Sequence, residues 1–355
     1  MQSLSRLLTL ILLSASAALS GAQAEEPAAA PTLGDTGVPG ADPSIISTED
    51  GFVSVESRRG QALIVRVAPS LDALWSVRGV RIWFDRERLG EVWAPEIVFR
   101  DGEYRVYFAA GVGSDHRMYE IASKKPDADY GPAKEIALPE DKWAIDGLPF
   151  AYDGADYFVW SGWQGDTDIR QDIFITRLDA AGQPQGERVR ISSPDRAWEN
   201  VAGETPSINE GPQPIRDPDG RLHIVYSANG SWGANYCLAD LRLREDGDPM
   251  DASAWSKSDG CLFGANEATL AEGGTLAKKA KGVGHHSFIL PDGAPEEASA
   301  ERTAPFLYHG VPADLEPSNF WAARMWYVGT YEWMPDVRYG SGGDGDTGWS
   351  LRFSD

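Results

Sequence analysis

PEIVFRDGEYRVYFAA, residues 95–110, decides the fold. Two apolar, strand-like runs flank Asp101-Gly102. Asp-Gly between such runs is the strongest short hairpin signal, because the favoured two-residue turn needs positive φ at both central positions. The plan recurs outward along the chain. LPFAYDGADYFVWSGW (148–163), PQPIRDPDGRLHIVYSA (212–228) and DPSIISTEDGFVSVES (42–57) each read as strand, turn, strand. A fifth copy, HSFILPDGAPEEASAERTAPFLYH (286–309), carries a longer loop. Successive Asp-Gly turns lie 51, 52, 66 and 73 residues apart. Helical periodicity is weak, with candidate helices only near residue 70 and over 265–281.

A unit of roughly 40–50 residues with several short strands is a β-propeller blade. Five units predict an all-β, five-bladed propeller with a funnel at its centre, filling residues 41–355 as one domain. A β-sandwich places its turns about every 8–12 residues and does not restore one longer motif.

A polar or aromatic residue stands 7 to 9 positions before each Asp-Gly: Asp42, Trp93, Asp146, Glu210 and His285. The innermost strand of every blade starts at one end of the central channel, so these positions converge there. Carboxylates gathered in a pocket shift one another's pKa values. One then stays protonated as a general acid while another stays ionised as a base, the division that glycoside hydrolysis needs. Trp93 offers an apolar face to a sugar ring. Any of the three carboxylates alone reads as a solvated surface charge, and it is their shared phase in the repeat that argues for a site. His116, just after the second hairpin, reads as a loop residue.

Composition narrows the function. Asp plus Glu is 54 and Lys plus Arg is 32, a net charge of −22, so no basic surplus exists for nucleic acid or anionic membranes. Apolar residues at 42% and charged residues at 24% are ordinary for a globular chain. The 13 tryptophans fall mostly in or beside the β-like runs, as core and platform residues. Residues 1–24 read as a signal peptide: Arg6, an apolar run Leu7 to Leu13, and Ala22-Gln23-Ala24 as the cleavage site. The run is too short to span a membrane. Residues 25–40, rich in Ala, Pro and Gly, read as a tether to an exported domain. Export permits a disulfide between the two cysteines, Cys237 and Cys261, and two buried free thiols fit the sequence equally. Zinc-type Cys and His spacing is absent.

With these motifs in view, the chain resembles glycoside hydrolase family 43, a family of five-bladed propellers. The matching segments are ADPSII (41–46), VWAPEIVFRDGEYRVYF (92–108), IDGLPFAYDGADYFVW (145–160), NEGPQPIRDPDGRLHIVYSANGSW (209–232) and GVGHHSFI (282–289). DPMDASAWSKSDGCLF (248–263), FLYHGV (306–311) with His309, and Arg324-Met325 extend the likeness. The resemblance implies Asp42 as general base, Glu210 as general acid, and Asp146 as the residue that tunes and orients the acid. It implies Trp93 and Arg324 as sugar contacts and His285 near the channel centre, beside a water-ligated calcium or another ion. It implies inversion, with base and acid carboxyls roughly 6.5–9.5 Å apart. The implied activity is an α-L-arabinofuranosidase on arabinan or arabinoxylan side chains, acting as a monomer without an organic cofactor. Endo-arabinanase, β-xylosidase and galactofuranosidase activities stay open. Departures stand at Gly147, at Gly282-Val283, at Glu96 and at the second histidine, His286. Fructan-cleaving propellers are disfavoured, since Ala-Asp-Pro-Ser and Glu-Gly-Pro stand where those enzymes carry other motifs. A sugar-binding propeller without catalysis could dispense with one carboxylate, and a protein-binding propeller would need none in phase.

Overall fold

A computed structural model describes residues 31–294, 302–339 and 346–355. The signal-peptide reading of residues 1–24 lies outside the described residues. The chain folds into five antiparallel blades in sequence order. Blade one holds Ser44–Thr48, Gly51–Arg58, Ala62–Ala68 and Val80–Phe84. Blade two holds Glu91–Arg100, Glu103–Gly111, Arg117–Ser123 and Lys134–Glu135. Blade three runs through Ala144–Tyr152, Ala155–Trp163, Arg170–Leu178 and Pro184–Ser192. Blade four begins with Ser207–Arg216, Leu222–Ala228 and Cys237–Leu243, and blade five with Ala280–Phe288, Thr303–Pro312 and Met325–Tyr339.

The Asp-Gly signal marks the tight hairpins. In blades two and three Asp101-Gly102 and Asp153-Gly154 have positive φ at both positions (55° and 75°, 49° and 74°). Such a turn matches the twist of the flanking strands. Apolar faces of neighbouring blades then bury one another. Leu148, Val159 and Ile175 of blade three meet Ile224, Tyr226 and Leu241 of blade four in one cluster, and Ile46, Val55 and Val65 of blade one meet Val92, Val106 and Phe108 of blade two in another. Each such side chain removed from water contributes about 1.5–3 kcal/mol. Six tryptophans, including Trp160, Trp326 and Trp333, are core residues, whereas Trp93 and Trp321 are exposed.

Two expectations change. Gly34–Pro39, inside the stretch read as a tether, is a strand: Gly34 pairs with Val328, Asp35 with Tyr327 and Pro39 with Met325. The N-terminal segment thereby adds an outer strand to the last blade and joins the ends of the ring. Its Gly and Pro content concealed this, and an edge strand tolerates both. The stretch 265–281 is not helical beyond one 3-10 turn, Glu267–Thr269, and continues as a strand, Leu270–Leu276. Near residue 70 a single helical turn, Leu71–Leu74, is capped by the Ser70 hydroxyl, which accepts from the Ala73 N–H.

Cys237 and Cys261 are disulfide-bonded, with Cα atoms 5.9 Å apart. Closing a loop of 24 residues stabilises the fold by about 3 kcal/mol in the chain-entropy account. Replacing both cysteines by alanine is expected to lower the urea midpoint by that equivalent. An unchanged midpoint would show that the bond adds nothing.

Candidate active site

The inner strands of blades two to five are interrupted in their pairing, whereas that of blade one pairs without a break. Pairing shifts register between Trp93 and Glu96, Ile145 and Leu148, Glu210 and Gln213, and Gly284 and Ser287. Within each shift one residue turns left-handed: Ala94 (φ 42°), Asp146 (58°), Gly211 (60°) and His285 (40°), with Asp42 (50°) ahead of the blade-one strand. These are β-bulges, which re-aim side chains beside active sites. A left-handed non-glycine residue costs about 1–2 kcal/mol, less for Asp, whose short polar side chain tolerates it. The five left-handed residues, four of them in bulges, stand 7 or 8 residues before each Asp-Gly.

This refines the phase read from the sequence. Asp42, Asp146 and His285 occupy the bulge, but its equivalents in the other blades are Ala94 and Gly211, not Trp93 and Glu210. Counting back from a turn cannot see the residue inserted by a bulge. At Gly211 a Cβ would crowd the His285 ring, 3.2 Å from Nδ1. Gly284 has the same task under a stricter limit. It leaves room for the Tyr236 ring, whose nearest carbon would be 2.1 Å from an added Cβ.

All six residues singled out in the sequence, Asp42, Trp93, Asp146, Glu210, His285 and Arg324, line one cavity of about 710 Å³. Asp42 Oδ1 lies 3.3 Å from His309 Nδ1, 3.4 Å from His285 Nδ1 and 3.9 Å from an Arg324 nitrogen. The Asp42 N–H donates to His309 Nδ1 at 3.0 Å. Asp146 Oδ2 accepts from the Gly211 N–H at 2.9 Å and lies 4.0 Å from His285 Nδ1. Tyr236 donates its hydroxyl hydrogen to Glu210 Oε1 at 2.9 Å. His285 Nε2 lies 3.5 Å from Glu96 Oε1, and the His285 backbone N–H donates to the Ser227 hydroxyl at 2.8 Å. Trp93 stacks on buried His116, ring centres 3.9 Å apart. His116 is a loop residue, as read from the sequence, and it is buried beneath Trp93 as its support.

The charges sort themselves. Burial favours the neutral form of Asp42, but His285, His309 and Arg324 outweigh it and hold Asp42 well below the usual carboxylate range. Burial raises Glu210, with Asp42 adding to it against the charge of His285 and the Tyr236 hydrogen bond. Burial likewise pushes Asp146 well up, reinforced by Glu210 and Asp42. Burial alone would lower His285, yet Asp42, Asp146 and Glu96 raise it to about 10. Burial and Arg324 push His309 down to about 3. One carboxylate, Asp42, is therefore firmly ionised beside a charged imidazole, while Glu210 and Asp146 are both biased toward their protonated forms.

Tyr236, Glu96 and Trp321 are the site residues that the sequence did not single out as such. Tyr236 and Trp321 sit in irregular segments with no repeat phase to flag them. Glu96 stood out only as a departure from the family pattern.

A five-bladed propeller whose channel mouth gathers carboxyl groups of opposite electrostatic bias defines a class, the propellers built for acid–base work on sugars. The chain belongs to glycosyl hydrolases family 43, whose model matches residues 38–293. It is 31% identical over 263 residues to the extracellular exo-α-(1→5)-L-arabinofuranosidase of Streptomyces avermitilis, covering 71% of this chain and 52% of that one. It is 27% identical to the enzyme of the same description from Streptomyces chartreusis, covering 71% of this chain and 76% of that one. The chain thus spans about half the length of the first of these relatives. The crystal structure of α-L-arabinofuranosidase from Lactobacillus brevis superposes with a TM-score of 0.70 at 26% identity, over 86% of this chain and 94% of the other. An endo-arabinase from Bacteroides thetaiotaomicron shares the fold at 14% identity and a TM-score of 0.59, over 84% and 95% of the two chains.

Proposed function

We propose that the protein is an inverting α-L-arabinofuranosidase acting on arabinan or arabinoxylan side chains. The observation that carries this reading is the opposite electrostatic bias of Asp42 and Glu210 within one cavity. The names of the relatives support the choice of sugar.

Asp42 is the general base. It takes a proton from a water molecule as that water bonds to the anomeric carbon. Glu210 is the general acid and delivers its proton to the glycosidic oxygen as the bond to that carbon breaks. Asp146 orients the acid: by accepting the Gly211 N–H it fixes the backbone next to Glu210. Trp93 and Arg324 contact the sugar. Removing such an acid or base ordinarily costs about 10²- to 10⁴-fold in rate.

The calcium expectation does not fit the residues present. Among the described residues no group of three or more His, Cys, Asp or Glu is arranged to hold an ion. The cavity in the channel beside Glu96 and Gln213 is about 10 Å³, roughly the space of one water, whereas calcium takes about six to eight oxygen ligands. His285 carries the positive charge at this place instead. Exhaustive chelation is expected to leave activity and Tm unchanged, and a loss reversed by added calcium would overturn that.

We further propose that residues 1–24 direct export to the periplasm or beyond, that the tether is confined to the residues before Gly34, and that the domain acts as a monomer. Among the described residues no helix is long and apolar enough to cross a membrane. The reading is tested by a hydrolysis screen on nitrophenyl α-L-arabinofuranoside, β-D-xyloside and β-D-galactofuranoside beside linear and branched arabinan. Release of arabinose that vanishes in Glu210→Ala supports it. Turnover confined to xyloside or galactofuranoside would reassign the sugar, and silence on all would favour a binding propeller.

A further inference from the structure

The catalytic cavity does not end at Asp42. A second cavity of about 320 Å³ shares Asp42, Glu91, Trp93 and Arg324 with it and continues past them to Ser57, Arg59 and Gly60. Neither Glu210 nor Asp146 borders this second lobe. The lobe therefore lies beside the base and away from the acid, and so away from the side on which the leaving group departs.

The far wall of the lobe is built with an unusual residue. Arg58 to Gln61 form a tight turn, closed by the Gln61 N–H donating to the Arg58 carbonyl at 3.2 Å. Both central residues are left-handed, Arg59 at φ 55° and Gly60 at 60°. Asn, Asp or Gly normally takes the first of these positions, because a larger side chain is strained there. The turn is also anchored: the Val92 N–H donates to the Gly60 carbonyl at 3.0 Å, and the Asp85 N–H to Gln61 at 2.9 Å. Arg59 is exposed, and among the described residues no hydrogen-bond or ion-pair partner engages it. A strained, anchored turn thus presents an unengaged guanidinium to a cavity that opens directly from the catalytic centre. Five fixed N–H donors suit it to sugar hydroxyls, with Glu91 across the lobe to accept hydrogen bonds and Trp93 to supply an apolar face.

We propose that this lobe holds a second sugar unit joined to the one being cleaved, so that the enzyme releases a disaccharide from α-(1→5)-linked arabino-oligosaccharides besides arabinose. The proposal rests on the arabinofuranosidase reading above and extends it to a two-sugar cleft, with Arg59 as the residue that sets product length.

The test follows first products from arabinotriose to arabinohexaose by chromatography, with nitrophenyl α-L-arabinofuranoside alongside, for the wild type and Arg59→Asn. Asparagine suits the left-handed position, so the variant is expected to keep or raise its Tm, which removes misfolding as a cause. The expected result is disaccharide among the first products of the wild type and a fall of at least 10-fold in the disaccharide-to-monosaccharide ratio in Arg59→Asn. Arabinose alone from every oligosaccharide, with the nitrophenyl substrate cleaved, would overturn the proposal and leave the enzyme reading intact. An unchanged ratio in Arg59→Asn would overturn the role of Arg59. No turnover of either substrate class would overturn both.

Discussion

Glu210→Ala is expected to slow hydrolysis of arabinan linkages by about 10²- to 10⁴-fold while sparing much of the activity on nitrophenyl arabinofuranoside. A sugar alkoxide needs a proton to leave, whereas nitrophenolate does not. Glu210 is suited to supplying it because burial and the nearby Asp42 raise its pKa, so that the acid keeps its proton further up the pH scale than a free carboxyl group. The sign of the pH dependence follows. The active form has Glu210 protonated, so activity falls as pH rises through that raised pKa, and this alkaline limb disappears from the Glu210→Ala profile on nitrophenyl substrate. Equal losses on both leaving groups, with the limb unchanged, would remove Glu210 from the role of acid.

Asp42→Ala is expected to fail on both classes of substrate by a similar factor, because water must be activated whatever group departs. Azide, already an anion, needs no base and is expected to restore turnover of the nitrophenyl substrate in this variant alone. Asp42 is held below the usual carboxylate range by His285, His309 and Arg324 against the effect of burial. Its ionised form therefore persists in acid, and wild-type activity declines only as pH falls below that range. Activity lost already near the ordinary carboxylate pKa would contradict the electrostatic arrangement. Undiminished hydrolysis by Asp42→Ala would contradict its role as base.

The blades were legible because hairpin chemistry is local. Asp101-Gly102 and Asp153-Gly154 carry their backbone requirement in two residues. The strand Gly34–Pro39 was not, since its partner lies some 290 residues away in Met325–Val328 and its own composition favours coil. The carboxylates were found through repetition, yet the bulge that aims them was invisible. An extra residue in four of the inner strands leaves no mark in composition, and it moved the true equivalents to Ala94 and Gly211. The partners that set the charges were harder still. Tyr236 reaches Glu210 across Gly284, and Arg59 borders the cleft through the geometry of a turn in blade one. Such contacts come from the ring closing, and no single segment contains them.

The most direct test of the account is the configuration of the first product. Proton NMR of nitrophenyl α-L-arabinofuranoside hydrolysis, recorded before mutarotation, should show β-L-arabinofuranose appearing first. That outcome requires water to enter from the side of Asp42 opposite the departing group protonated by Glu210. First appearance of the α anomer would contradict it, since retention requires a carboxylate to attack carbon itself, with the two carboxyl groups only about 5–5.5 Å apart.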